Sequence, residues 1–141
     1  MVNILVHASL DFVDKMIYEK EHIESISKLK VLLPELTRYQ HIRDEQGDDE
    51  KFTKIKHRLT RDNINNVEQC DCLFILNYSH RGIKNYIGGN SFLEMVIAFY
   101  LKKPIYLLNE IPETMTYTEE IKSLYPTVVY NVDNFVNIVC K

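Results

Sequence analysis

Cys72-Leu73-Phe74-Ile75-Leu76, followed by Gly88-Gly89-Asn90, then Ser91-Phe92-Leu93-Glu94-Met95-Val96-Ile97-Ala98-Phe99-Tyr100-Leu101 and Pro104-Ile105-Tyr106-Leu107-Leu108, is the stretch that decides the fold. Two apolar runs of strand length flank one of helix length, and glycines punctuate the first connection. A strand, a crossover helix and a second strand in that order pair in parallel. Strands of a parallel sheet are covered on both faces, which is why they read as continuous apolar runs.

The same alternation extends outward. Residues 3–8 form a compact apolar run suited to a buried first strand, and Ser9 follows as a candidate cap. Residues 11–28 carry Phe12, Val13, Met16, Ile17, Ile23 and Ile26, an amphipathic helical pattern. Residues 30–33 read as a second strand ended by Pro34, and residues 34–50 as a polar loop or lid. Helices are expected over 52–67, 117–124 and 131–141, and a last strand over 127–130. The chain is therefore expected to be α/β: one doubly wound, mainly parallel five-stranded sheet with helices on both faces, flavodoxin- or Rossmann-like, in a single domain over residues 1–141. In such sheets ligands bind beyond the carboxyl ends of the strands, where the strand order reverses. Three loops would face that crevice: 7–12, 77–90 and 109–113.

Bulk properties narrow the function classes. The length of 141 residues suits one domain with a proper core, and 45% hydrophobic with 26% charged residues is ordinary for a globular chain. A formal net charge of -3 gives no global reason to bind nucleic acid or anionic membrane. The basic run over residues 51–61 is read as a solvated helix face. His80, Arg81 and Lys84 could meet an anionic ligand, but exposed loop charges are usually solvated and they are read so here. No apolar stretch reaches the roughly 20 residues that span a bilayer, and the N-terminus does not resemble a signal peptide. Cys70, Cys72 and Cys140 lack the spacing of a zinc or thioredoxin-type motif; the first two thiols are expected to diverge and stay reduced, in a cytoplasmic protein. No metal and no cofactor is expected.

Glu94 is the only charge within its helical run, and burying a carboxylate among apolar side chains is costly unless it is paired, hydrogen-bonded or used. Placed in a first helical turn, it would stay ionised beside the positive end of the helix dipole. Ser91-x-x-Glu94 also fits a capping box, in which the carboxylate only satisfies a backbone N–H. His7 reads either as a satisfied core histidine or, at a strand end, as a neighbour of the cleft.

Three motifs carry a resemblance: Cys70-Asp71-Cys72-Leu73-Phe74-Ile75-Leu76-Asn77-Tyr78, Gly88-Gly89-Asn90-Ser91-Phe92-Leu93-Glu94-Met95, and Lys102-Lys103-Pro104-Ile105-Tyr106-Leu107-Leu108-Asn109. Together they resemble the nucleoside 2-deoxyribosyltransferase superfamily, which includes the 2′-deoxynucleoside 5′-monophosphate N-glycosidases. The resemblance is close over residues 71–109 and loose elsewhere. It implies that Glu94 is the nucleophile that attacks the anomeric carbon and that Asp71 assists departure of the base. It also implies that Ser9 contacts sugar or phosphate, that Phe12 lines the base, and that His7, Gly88, Gly89, Asn90 and Asn109 belong to the substrate site. Asn109 lies near the segment by which a neighbouring subunit completes the site in family members. The expected ligand is a small-molecule nucleoside or nucleotide, and the expected assembly a homodimer or larger homo-oligomer. Cleavage builds positive charge on the sugar and negative charge on the base, so two carboxyl groups with separated pKa values would divide the work.

Three departures favour an alternative, a catalytically weak or inactive nucleotide-sensing module. Ala8-Ser9 stands where the family has a Gly-Ser turn. Asp11 replaces an arginine of the monophosphate hydrolases. Gly88 replaces an acid found in many transferases.

Overall fold

A computed structural model describes residues 2–35 and 49–141. Its order is β1 (Asn3–His7), a 3-10 turn (Leu10–Phe12), α1 (Val13–Ile26), β2 (Lys30–Leu32), α2 (Asp49–Gln69), β3 (Cys72–Ile75), α3 (Gly89–Tyr100), β4 (Ile105–Leu107), α4 (Thr118–Ser123), β5 (Thr127–Val128) and α5 (Val132–Val139). Every strand is parallel to its neighbours, in the order β2-β1-β3-β4-β5. The α/β doubly wound fold expected from the alternation of apolar runs is the one observed. Of the expected loop over 34–50, residues 36–48 lie outside the described residues.

Strand alternation sends successive side chains to opposite faces and so divides the core in two. Ile4, Val6 and Phe74 join Met16 and Ile23 of α1 and Phe135 of α5, with the Phe74 and Phe135 rings stacked at 4.0 Å between centroids. Leu5, Leu73, Ile75 and Leu107 face the other way, onto Val67 of α2, Met95 and Ala98 of α3 and Ile121 of α4. Each fully buried Ile, Leu or Phe contributes about 1.5–3 kcal/mol of transfer free energy, and neither layer has an uncovered sheet face to lose it on.

His7 shares the face of Leu5, two residues before it, so its ring is delivered to the α3 side of the sheet. It stands at the carboxyl end of β1, beside β3, where the strand order turns outward in both directions. That reversal is the crevice in which doubly wound sheets bind ligands.

The thiols diverge as expected, for a reason other than strand alternation, which puts positions two apart on one face. Cys70 lies beyond the end of α2, where its thiol donates to Val67 O, and Cys72 opens β3. They enter different core layers, and all three cysteines are free. Among the described residues no helix is long and apolar enough to cross a membrane.

Candidate active site

Beyond the carboxyl ends of β1 and β3, residues His7, Ala8, Ser9, Leu10, Tyr86, Gly88, Gly89, Asn90 and Ser91 enclose a cavity of about 120 Å³. The β3–α3 connection that forms one wall is pinned at several points. Its tip, His80–Ile83, closes a tight turn with Arg81 and Gly82 at positive φ (53° and 75°). Tyr86 N–H donates to Tyr78 O at 3.1 Å, and Tyr117 OH donates to Ile87 O at 2.5 Å. Gly88 is favoured by a close approach rather than by backbone freedom. Its φ of −73° is ordinary, but an added Cβ would meet the Tyr86 ring at 3.3 Å. At Gly89 an added Cβ would meet nothing within 4 Å, so the start of α3 is open to a ligand.

The capping-box reading of Glu94 does not hold. Gly88 is the N-cap of α3, no side chain caps the helix, and Ser91 Oγ instead lies 2.7 Å from His7 Nδ1. Glu94 is the sixth residue of α3, one turn further in than expected, and its side chain is buried. Its Oε2 sits 3.3 Å from His7 Nδ1, yet neither carboxyl oxygen makes a hydrogen bond among the described residues. His7 is not a satisfied core histidine either: its Nε2 is buried with no partner among the described residues.

Burial decides the charges. Desolvation pushes the Glu94 carboxyl well above the ordinary carboxylate range, and the Lys56 ammonium pulls only partly the other way. His7 is lowered to about 3, first by burial and then by Lys56. Burial thus disfavours the charged form of both partners in this contact. The helix dipole expected to keep Glu94 ionised acts on it only weakly, because Glu94 stands beyond the first turn and that field fades there.

Lys56 joins the site although the sequence reading leaves it on a solvated helix face. It projects from α2, half-buried, and its Nζ donates to Asn90 Oδ1 at the rim of the cavity. A signal was present: Lys56 continues the helical stripe of the buried Leu59, Asn63 and Val67, so it faces α3 rather than water.

The remaining expected residues divide. Ser9 lines the cavity and its side chain caps nothing. Gly88, Gly89 and Asn90 line it as well. Phe12 does not: it packs against the first core layer, 5.0 Å from Tyr78 and 5.3 Å from His80 between ring centroids. The aromatic at the cavity is Tyr86, reached from Phe12 through His80, whose ring is 5.4 Å from that of Tyr86. His80 is also not a solvated loop charge, since its Nε2 lies 2.7 Å from Asp11 Oδ2, off the line of a good hydrogen bond.

Asp71 is not brought to the cavity. It precedes β3 at the amino edge of the sheet, where its Oδ2 accepts from Asn3 N–H at 2.7 Å. The four residues of β3 separate it from the crevice, a span of about 13 Å. Its expected role beside Glu94 is therefore corrected to a structural one, tying the first residues of two strands. Asn109 is at the correct edge, but its amide donates to Asn77 O at 3.1 Å, while Asn77 returns hydrogen bonds to the 109–110 backbone. This clamp joins the loops after β3 and β4. Among the described residues no group of His, Cys, Asp and Glu is arranged to hold a metal ion.

No family model matches the chain. No curated protein matches it either.

Proposed function

We propose that the protein cleaves or transfers the N-glycosidic bond of a (2′-deoxy)nucleoside or nucleoside 5′-monophosphate, with Glu94 as nucleophile. The observation that carries this reading is a fully buried carboxyl with both oxygens lacking a hydrogen bond among the described residues, near a cavity at the strand-order reversal. Such a group costs stability and is maintained where it is used. The sequence resemblance assigns the use. An oxocarbenium-like sugar would draw Glu94 into its ionised form, and the carboxylate would capture C1′ as a glycosyl-enzyme. Water then completes hydrolysis, or a second base completes transfer. Asp71 takes no part, so the proton for the departing base comes from elsewhere in the cleft.

Incubation with a panel of nucleosides and monophosphates, with free base followed by chromatography, tests the reading. Glu94→Ala is expected to lower base release by at least about 100-fold. Release that survives this substitution unchanged removes Glu94 from the mechanism.

A second reading, a nucleotide-sensing module without turnover, is favoured by one observation. His7 and Ser91 line the cavity in front of Glu94, which does not line it. Thermal stabilisation by nucleotides with no base released would support that module.

A further inference from the structure

We propose that the cavity at the start of α3 binds a phosphate-class oxyanion, held by His7 Nε2–H, the Ser9 hydroxyl and the first backbone N–H groups of α3. The oxyanion is either a phosphate carried by the substrate or free phosphate. The site does not depend on the N-glycosidic reading, because any metabolite that bears the group would be held in the same way.

Donors converge on this cavity from two elements. Helix α3 has 12 residues, starts at Gly89 and has no side-chain cap. Its first N–H groups therefore lack an intrahelical partner and carry the positive end of the helix dipole. A Cβ at Gly89 would meet nothing within 4 Å, so an anion can reach that backbone. From β1 comes His7, which is 1% exposed, with Nε2 lacking a partner among the described residues on a ring that lines the cavity. Its tautomer follows from Ser91. The buried Ser91 hydroxyl lies 2.7 Å from His7 Nδ1, and its single hydrogen occupies the lone pair of that nitrogen. The ring hydrogen is then on Nε2, a donor left without an acceptor, and such a group costs stability until a ligand supplies one. Ser9 adds a hydroxyl that caps nothing.

Charge and size select the ligand. Among the described residues no carboxylate lines the cavity. Asp11, on the connection after β1, has its Oδ2 2.7 Å from His80 Nε2. The one ammonium close by is helpful in sign: Lys56 Nζ donates to Asn90 Oδ1 at the rim. The volume of about 120 Å³ equals that of about four liquid waters, room for one phosphate group. Pockets that enclose a whole small-molecule ligand start at about 300 Å³, so a nucleoside does not fit inside. Hydrogen bonds from N–H and O–H donors to an oxyanion are the stronger kind, which suits a site built from neutral groups.

Isothermal titration of the full chain tests this, with inorganic phosphate, a nucleoside 5′-monophosphate and the parent nucleoside as probes. Phosphate is expected to bind at millimolar concentration or below and to be displaced by the monophosphate. A monophosphate at least about tenfold tighter than phosphate assigns the anion to the substrate. A nucleoside whose affinity rises when phosphate is present assigns it to free phosphate. No binding of phosphate or monophosphate at millimolar concentration overturns the site, and so does displacement of phosphate by the nucleoside. His7→Leu is expected to weaken phosphate binding at least about tenfold, and His7→Gln, which keeps an N–H donor, by less than about threefold. Ser9→Ala removes a side chain that holds nothing in the fold, and is expected to cost at least about threefold. Unchanged affinity in either Ser9→Ala or a folded His7→Leu overturns the proposal. Nitrogen-15 NMR of the histidine-labelled chain adds a second readout. His7 is expected to carry its hydrogen on Nε2 and that resonance to shift with phosphate, whereas a bare Nε2 overturns the assignment. The two readings fail separately. Base release without phosphate binding removes the oxyanion site alone, and phosphate binding without base release removes the N-glycosidic reading alone.

Discussion

At Glu94 the folded chain holds a carboxyl whose proton affinity exceeds that of the same group unfolded, because burial penalises its charge more than Lys56 relieves it. The folded pKa is raised, so the group's favourable contribution is complete below the ordinary value of 4.5 and is lost as pH rises toward the raised one. Each pH unit in that window removes up to about 1.4 kcal/mol. Glu94→Gln copies the neutral acid and cannot ionise. Urea unfolding of the two proteins is expected to give similar stabilities near pH 4, with the variant gaining on the wild type as pH rises. A constant difference from about pH 5 to 8 would show that Glu94 is already ionised in the fold. Asp71 behaves oppositely. Exposed at the far edge of the sheet with one backbone partner, it is expected to tolerate Asp71→Asn at a cost under about 1 kcal/mol. Base release by that variant should match the wild type within about twofold, and a loss comparable to that of Glu94→Ala would return Asp71 to the mechanism.

Between elements, the cavity depends on loops that are held from behind. Asn77 is fully buried, donates to Asn109 O and Glu110 O at 2.9 and 3.1 Å, and accepts from Asn109 N–H at 2.8 Å. Truncation in Asn77→Ala leaves those backbone groups without their partner, at an expected cost of about 2–3 kcal/mol in urea unfolding. A cost under about 0.5 kcal/mol would mean that the two loops are held by other contacts. The end of α2 is fixed in a related manner, by Lys103 Nζ donating to the carbonyls of Val67, Glu68 and Cys70. A cation there also complements the negative end of the helix dipole. These contacts join residues more than 30 positions apart and leave no periodic trace in the chain.

For the molecule as a whole, α3 is apolar on its outer side as well as its inner one. Leu93, Val96, Phe99 and Tyr100 are exposed, while Met95 and Ala98 are buried against the sheet. A helix apolar around its circumference is one that packs on two sides. The expected homodimer would place this face against its copy, an isologous arrangement in which an uncharged surface is its own complement. Sedimentation is expected to show a dimer for the wild type and a monomer for Phe99→Glu, with little change in melting of the monomeric unit. A wild type that stays monomeric at high concentration would remove the expectation.

What the amino-acid sequence determined by itself was the fold. The apolar runs 72–76, 91–101 and 104–108 have lengths that only a parallel strand–helix–strand unit satisfies, and Glu94 is conspicuous because no other charge shares its run. Burial of apolar surface acts on whole segments, so its signature survives in one dimension. The strand-end position of His7 and the cavity-side placement of Ser9, Gly88, Gly89 and Asn90 followed from that alternation. Only the tertiary structure decided which polar groups meet. It sent Asp71 to the opposite edge, brought Lys56 inward, replaced Phe12 by Tyr86 at the cavity, and set Ser91 on His7 rather than on its own helix. It also decided that the Glu94 carboxyl is pushed above the ordinary range, by the loss of water around a buried charge. Hydrogen bonds and desolvation depend on distances of a few ångströms between remote residues, and those distances exist only once the sheet is assembled.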